Sequence, residues 1–266
     1  MEQDHNYIIK NKASWNSKVA AHVQSEFYDN ASFLQGRNTL NSIELNLLGD
    51  VKGKSVLHLQ CHFGQDSLSL ARMGAQVTGV DFSEEAIQTA RDFNTQIGTQ
   101  AQFICCDIYD LPNHLKQQFD IVFTSYGTIG WLPDLQKWAS VVSQFLKPGG
   151  HFIMADFHPI VWMMDNHFNH IAYSYFNTEE IIETETGTYA DREAPITNET
   201  VSWNHPTSEL LNNLIQQGIS IQRFDEYDYS PYNCFQETEE FEPGKFRIKH
   251  LLNKIPMVYS ILGLKK

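Results

Sequence analysis

Between Gly53 and Phe157 the chain alternates short apolar, β-prone runs with amphipathic helical stretches, and this alternation constrains the fold more than any other feature. Residues 55–60 read as a strand, followed past Gly64 by a helix over 66–73. Residues 76–81 form the next strand. Ser83 then caps a helix reaching Ile97, with Glu84 and Glu85 in its first turn, where they meet the positive end of the helix dipole. Strands over 102–106 and 119–125 follow. A helix over 134–146 stops at Lys147-Pro148-Gly149-Gly150, a turn that launches a strand over 151–157. Strands separated by helices of this length form a parallel sheet covered on both faces. Ligands of such sheets bind at the carboxyl ends of the strands. The loops after Leu59, Val80, Cys106, Thr124 and Asp156 are therefore where a site is expected.

The flanking segments add to this core. Trp15, Val19, His22, Val23 and Phe27 recur at helical spacing over 13–28, and a second helix over 38–48 ends at Gly49. Residues 158–204 break the alternation. They are rich in Tyr, Phe, Thr and Asn, with β-prone pieces at 171–176 and 199–203. A helix over 206–217, a strand over 219–228 and a final strand over 255–264 would let the last strand slot in antiparallel. The expected fold class is α/β: a Rossmann-like, seven-stranded, mostly parallel sheet with helices on both faces, an N-terminal helical cap and an inserted β-rich lid. The expected division is a cap over 1–50, a cofactor-binding core over 51–158, the inserted lid over 159–204 and the rest of the core sheet over 205–266.

Charge and composition narrow the function classes. The formal net charge of −13 repels phosphate backbones and anionic lipid, and no Lys/Arg-rich run offsets it. Nucleic acid and membranes are thus not expected partners. No apolar run is long enough to span a bilayer, and residues 1–10 are polar. Cys61, Cys105, Cys106 and Cys234 show no CxxC spacing, so neither a disulfide framework nor a zinc site is indicated, and a cytoplasmic location is expected. The sequence leaves room for a homodimer.

The segment from Val56 to Asp66 follows a strand and opens a helix, where backbone N–H groups face a ligand. A dinucleotide site would need Gly-x-Gly-x-x-Gly here, but Gly64 is the only glycine, and Asp66 would repel a pyrophosphate. Asp81, at the end of the second strand, is placed to accept hydrogen bonds from a ribose diol. Such an Asp also commonly caps the following turn. Together these signals suggest an adenosine ligand without phosphates.

The stretch from Gly53 to Phe157 resembles the class I S-adenosylmethionine-dependent methyltransferases. The resemblance rests on Val56 to Gly64, on Val77-Thr78-Gly79-Val80-Asp81-Phe82-Ser83 and on Cys106-Asp107-Ile108-Tyr109-Asp110-Leu111-Pro112. It extends to Phe119-Asp120-Ile121-Val122-Phe123-Thr124-Ser125 and Leu146-Lys147-Pro148-Gly149-Gly150. It implies S-adenosylmethionine as cofactor. Gln60, Cys61, His62, Phe63 and Gly64 would cradle the methionine end, with Ser125 nearby; Asp81 would hold the ribose and Phe82 lie along the adenine. Asp107 would accept from the adenine amino group while Ile108 packs on the ring. Three positions depart from the pattern: His58 stands where relatives carry an acid, and Gln60 and His62 where they carry glycines.

Aromatic faces stabilise a sulfonium cation, and Phe63, Tyr126, Trp131 and Tyr28 are candidates for that contact, against ordinary packing as the plainer reading. Tyr28, Trp131 and His205 are the candidate acceptor-binding residues. A general base is needed only if the attacking atom carries a proton. His158, directly after the fifth strand, is the first candidate, with Tyr126 also in a catalytic role and His62 and His205 behind it. His58, Cys61 and His62 are not spaced as a metal face, and no metal is expected. The function expected is methyl transfer to an O or N nucleophile of a small-molecule acceptor, uncharged or cationic to suit the aromatic and acidic lining. The alternatives are a non-catalytic cofactor-binding regulator or scaffold, and a protein or RNA methyltransferase.

Overall fold

The computed structural model describes residues 6–176 and 179–266; residues 1–5 of the expected cap and 177–178 of the expected insertion lie outside the described residues. The chain opens with α1 (Asn6–Gln24), α2 (Asn30–Leu34) and α3 (Ser42–Leu48). The sheet-and-helix alternation follows: β1 (Ser55–Leu59), α4 (Gln65–Arg72), β2 (Gln76–Asp81), α5 (Glu84–Ile97), β3 (Gln102–Cys105), α6 (Leu111–His114), β4 (Phe119–Ser125), α7 (Leu135–Phe145) and β5 (Leu146–Phe157). Then come β6 (Ile181–Thr186), β7 (Thr197–Ser202), α8 (Thr207–Gln216), β8 (Ile219–Tyr227), β9 (Thr238–Glu242), β10 (Lys245–Ile248) and β11 (Val258–Lys265).

Seven strands form one sheet in the order β3-β2-β1-β4-β5-β11-β8. Neighbours from β3 to β5 pair in parallel, and β11 runs antiparallel between β5 and β8. The strand order reverses between β1 and β4, which pair through Leu57↔Val122 and His58↔Phe123, so the loops after these two strands open on one crevice.

The period-two alternation of the strands builds two cores. On one face Leu57, Leu59, Val122 and Met154 pack under Trp138 and Val142 of α7 and Leu210 and Leu214 of α8. On the other, Val56, Val77, Ile121 and Phe123 meet Leu68 of α4, Ile87 and Phe93 of α5, and Phe33 of α2. Each large side chain removed from water here contributes about 1.5–3 kcal/mol. Two caps set helix starts where the sequence indicates: Ser83 accepts the Ala86 N–H, and Asp134 accepts the Lys137 N–H.

Several expectations are corrected. The first helix ends at Gln24, because residues 25–28 turn and Asp29 takes a left-handed φ of 40° to cap α2. The second expected helix begins only at Ser42, since Thr39 is drawn out to bond Asp66 and Ser69. The β-prone residues 171–176 form no strand and only Ile171 bridges to Met164; the hairpin of the insertion is instead β6–β7, with Thr and Glu along β6. The hairpin β9–β10 occupies the connection between the strands expected at 219–228 and 255–264, for which no element was expected. Among the described residues no helix is long and apolar enough to cross a membrane, and the four cysteines are unpaired.

Candidate functional site

The loop joining β1 to α4 has a glycine-type backbone without the glycines. Gln60 and His62 have φ of 54° and 51°, and Gly64 has 79°. A left-handed conformation costs a residue with a Cβ roughly 1–2 kcal/mol. The neighbouring strands hold the loop against that cost. The Cys61 N–H donates to the Val80 carbonyl at 2.9 Å, and the His62 N–H donates to Asp81 Oδ2 at 2.8 Å. Gln60 Nε2 donates to the Thr128 carbonyl at 2.8 Å, which leaves Gln60 Oε1 buried without a partner. At Gly64 the backbone passes against the core: a Cβ there would stand 2.8 Å from the Phe103 ring.

This loop forms one wall of a cavity of about 790 Å³ at the carboxyl ends of the strands. Gln60, Cys61, His62, Phe63, Gly64, Asp81, Phe82, Asp107, Ile108 and Ser125 all line it, as do Tyr28, Tyr126, Trp131 and His205. Asp81 Oδ1 accepts the Ser83 N–H at 2.9 Å while Oδ2 holds His62, so this carboxylate fastens the β1 loop and still faces the cavity with unused lone pairs. Burial raises its pKa to about 6. Asp107 Oδ1 accepts the Tyr109 N–H at 2.8 Å, which turns Ile108 against the same cavity.

Near position 58 the acidic side chain comes from the next helix, α4. His58 is fully buried, its Nδ1 lies 2.8 Å from Ser67 Oγ, and burial drops its pKa to about 3, so it is neutral. Ser125 Oγ lies 3.5 Å from His58 Nε2 and donates to Asp66 Oδ2 at 3.3 Å; Thr39 donates to Asp66 Oδ1 at 2.6 Å. Asp66 thus places a carboxylate on the cavity wall beside the β1 and β4 loops.

Rings close the opposite side. Trp15 of α1 meets Trp131 edge-on at 5.5 Å and His62 at 5.3 Å. Tyr28 packs edge-on to Phe63 at 4.6 Å, and its hydroxyl contacts those of Tyr189 and, at 3.4 Å, His62 Nδ1. Tyr126 takes a left-handed φ of 45° and donates its hydroxyl to Glu44 Oε2 at 2.9 Å. Glu44 is completely buried; burial and the Asp66 charge raise its pKa to about 7.

Two histidines behave as structural groups in this geometry. His158 does not line the cavity: Nδ1 accepts the Ile160 N–H at 3.2 Å and Nε2 lies 3.0 Å from Glu226. His205 lines it, but Nε2 donates to the Leu132 carbonyl at 2.7 Å and Nδ1 lies 3.1 Å from Glu209.

Sequence reasoning missed Trp15, Lys18 and Asp66 as cavity residues, and further contributors besides. Asp156, at the end of β5, accepts from the Gly127 and Thr128 N–H groups and the Thr128 hydroxyl, and so shapes the loop after β4. Its only signal was its place among the strand ends. Glu44 carried no chemical signal, and Tyr189 and Tyr232 come from long connections. Tyr232 accepts from Asn41 and packs edge-on to Tyr126 at 5.0 Å.

The model of a methyltransferase domain family matches residues 50–218. A ubiquinone biosynthesis O-methyltransferase of Photorhabdus laumondii is 32% identical over 133 residues, covering 48% of this chain and 55% of that protein. The chain spans about half the length of the curated relatives it matches. Among solved structures, an S-adenosylmethionine dependent methyltransferase from Mesorhizobium loti superposes with a TM-score of 0.57 at 20% identity, covering 87% of this chain and 100% of that one. A methyltransferase of Methanosarcina mazei gives 0.57 at 20% identity over 85% and 98%. These two share the fold. The family match runs from β1 through α8, across every strand that bears the β1 loop, Asp81 and Asp107, and the chain belongs to the methyltransferase domain family.

Proposed function

We propose that this chain transfers a methyl group from S-adenosylmethionine to an O or N nucleophile of a small-molecule acceptor by in-line displacement. One observation carries the reading: Gln60 and His62 keep the left-handed backbone of a glycine loop and His62 is tied by Asp81, so loop and ribose-type carboxylate form a single unit facing one cavity. The donor set suits the cofactor. The free lone pairs of Asp81 match a diol, the unpartnered Gln60 Oε1 and Asp66 match an ammonium, and Phe82 and Ile108 offer apolar walls to a purine beside Asp107. When bound, S-adenosylmethionine supplies an electrophilic methyl group on a sulfonium.

The chain's own residues then orient and exclude water. Trp15, Tyr28 and Trp131 present rings that stabilise positive charge by about 0.5–2 kcal/mol. Where the attacking atom carries a proton, Tyr126 is the group to receive it, passing its own hydroxyl proton to Glu44 Oε2 above about pH 7, where Glu44 is ionised. Tyr126 lines the cavity and His158 does not, so the base role goes to the Tyr126–Glu44 pair. Four unpaired thiols fit a reducing cytoplasm. The test is calorimetric titration with S-adenosylmethionine and, separately, NAD. Saturable micromolar binding of the first alone is expected; binding of NAD, or of neither, overturns the reading.

A further inference from the structure

Lys18 is a buried charge in the cavity that the proposed reaction leaves unused. It lies on α1 and lines the cavity, yet the residue is only 3% exposed. Its ammonium sits 5.3 Å from the Trp15 ring centre and 5.9 Å from that of Trp131. The nearest carboxylate is Glu185 on β6 at 3.7 Å, beyond hydrogen-bond distance, and the Glu185 side chain is half exposed to water. An ammonium carries three donors, and burying one without close partners is costly. The rings beside it cannot compensate: burial holds His22 and His62 neutral, and the charge of Lys18 itself contributes. A cationic cofactor in the same cavity adds to the uncompensated positive charge.

We infer that Lys18 anchors a carboxylate of the methyl acceptor, which makes the substrate class an organic acid. The inference rests on the methyltransferase reading above and replaces the uncharged or cationic acceptor that composition suggested. Composition does not reveal this cation, which the fold sets against two indole faces with Glu185 as its nearest carboxylate. A monoanion fits better than a phosphate: Lys18 is one compact charge, Arg37 and Arg192 of the same cavity donate to the Tyr28 and Phe235 carbonyls, and Asp66, Glu183 and Glu185 repel a dianion more strongly than a monoanion. Lys18 pairs with Glu185 of β6 at 3.7 Å, which sets its ammonium on the insertion side of the cavity; it also lies near His62 of the loop assigned to the methionine end, so the cofactor's own carboxylate is the competing occupant that the titration separates.

The test uses the full chain saturated with S-adenosylhomocysteine, titrated with benzoate, 4-hydroxybenzoate and 3-phenylpropionate, each against its own amide. Binding is read by calorimetry and by tryptophan fluorescence. At least one acid should bind saturably and about tenfold or more tighter than its amide. Lys18→Met should weaken that acid about 30-fold or more, as expected for removing one partner of a buried charge pair, and leave affinity for S-adenosylhomocysteine within about twofold. Glu185→Gln, at a half-exposed position, should tighten the acid by removing the competing carboxylate. Acids and amides binding alike, or an unweakened Lys18→Met, would overturn the inference. A parallel loss of S-adenosylhomocysteine affinity would also overturn it, by assigning the ammonium to the cofactor. Failure of the wild-type chain to bind S-adenosylhomocysteine at all is the separate result that removes the methyltransferase reading.

Discussion

Glu44→Gln separates the buried acid from the shape it fills. Glu44 Oε1 accepts the Asn41 N–H at 2.7 Å and its side-chain amide at 3.1 Å, and Oε2 accepts from Tyr126. A glutamine keeps the Asn41 N–H bond through Oε1 and can donate to the Tyr126 hydroxyl through its amide. What it loses is the titration. Burial, then the charge of Asp66, raises the Glu44 pKa from 4.5 to about 7, so the folded protein holds a proton that the unfolded chain has released. The stability this provides is fully present below pH 4.5 and is lost as pH rises through about 7. At 1.36 kcal/mol per pH unit over that interval, the wild type should lose roughly 3 kcal/mol relative to Glu44→Gln between pH 4.5 and 7.5. The assay is urea unfolding of both proteins at half-unit steps across that range. A stability difference that stays flat with pH would refute the claim that Glu44 is held protonated.

Three further outcomes are expected. Asp81→Ala should weaken S-adenosylmethionine binding at least 30-fold by calorimetry, since it removes the diol acceptor and releases the His62 N–H (about 2 kcal/mol or more); unchanged affinity would sink the ribose assignment. Gly64→Ala should destabilise by roughly 2–3 kcal/mol in denaturant unfolding, because φ is 79° and the new methyl meets Phe103 at 2.8 Å and Ala90 at 3.0 Å. His158→Ala should cost about 1–2 kcal/mol of stability through its lost Ile160 bond while leaving cofactor affinity unchanged. A fall in turnover per folded molecule would return His158 to the base role.

The core was legible because each of its elements carries its own local signal. The period-two runs of β1, β2 and β4, the Ser83 and Asp134 caps, and the Pro148-Gly149-Gly150 turn act within a few residues, and the structure follows them. The residues read for the cofactor side come together on one cavity for a related reason: they sit at strand ends, and strand ends converge. Partnerships across long sequence distances were not legible. Nothing near Glu44 announces Tyr126, and nothing near Lys18 announces Glu185, because those contacts depend on how α1, α3 and the insertion lie over the sheet. His158 shows the opposite failure. A strand-end position put it near the site, but Pro159 rather than His158 lines the cavity, and its ring is spent on Ile160 and Glu226.

The place of β11 has a consequence for how the molecule is made. β5 finds its partner on one side in β4 at once, but its other edge waits for β11, about a hundred residues further along the chain. Until then a strand carrying Phe152, Ile153 and Met154 presents unpaired backbone groups, the kind of template on which chains join one another. β8 is synthesised earlier than β11 and docks only through it, so it cannot cover the gap. While the residues between β5 and β11 are being made, that open edge is the exposed feature of the partly formed sheet.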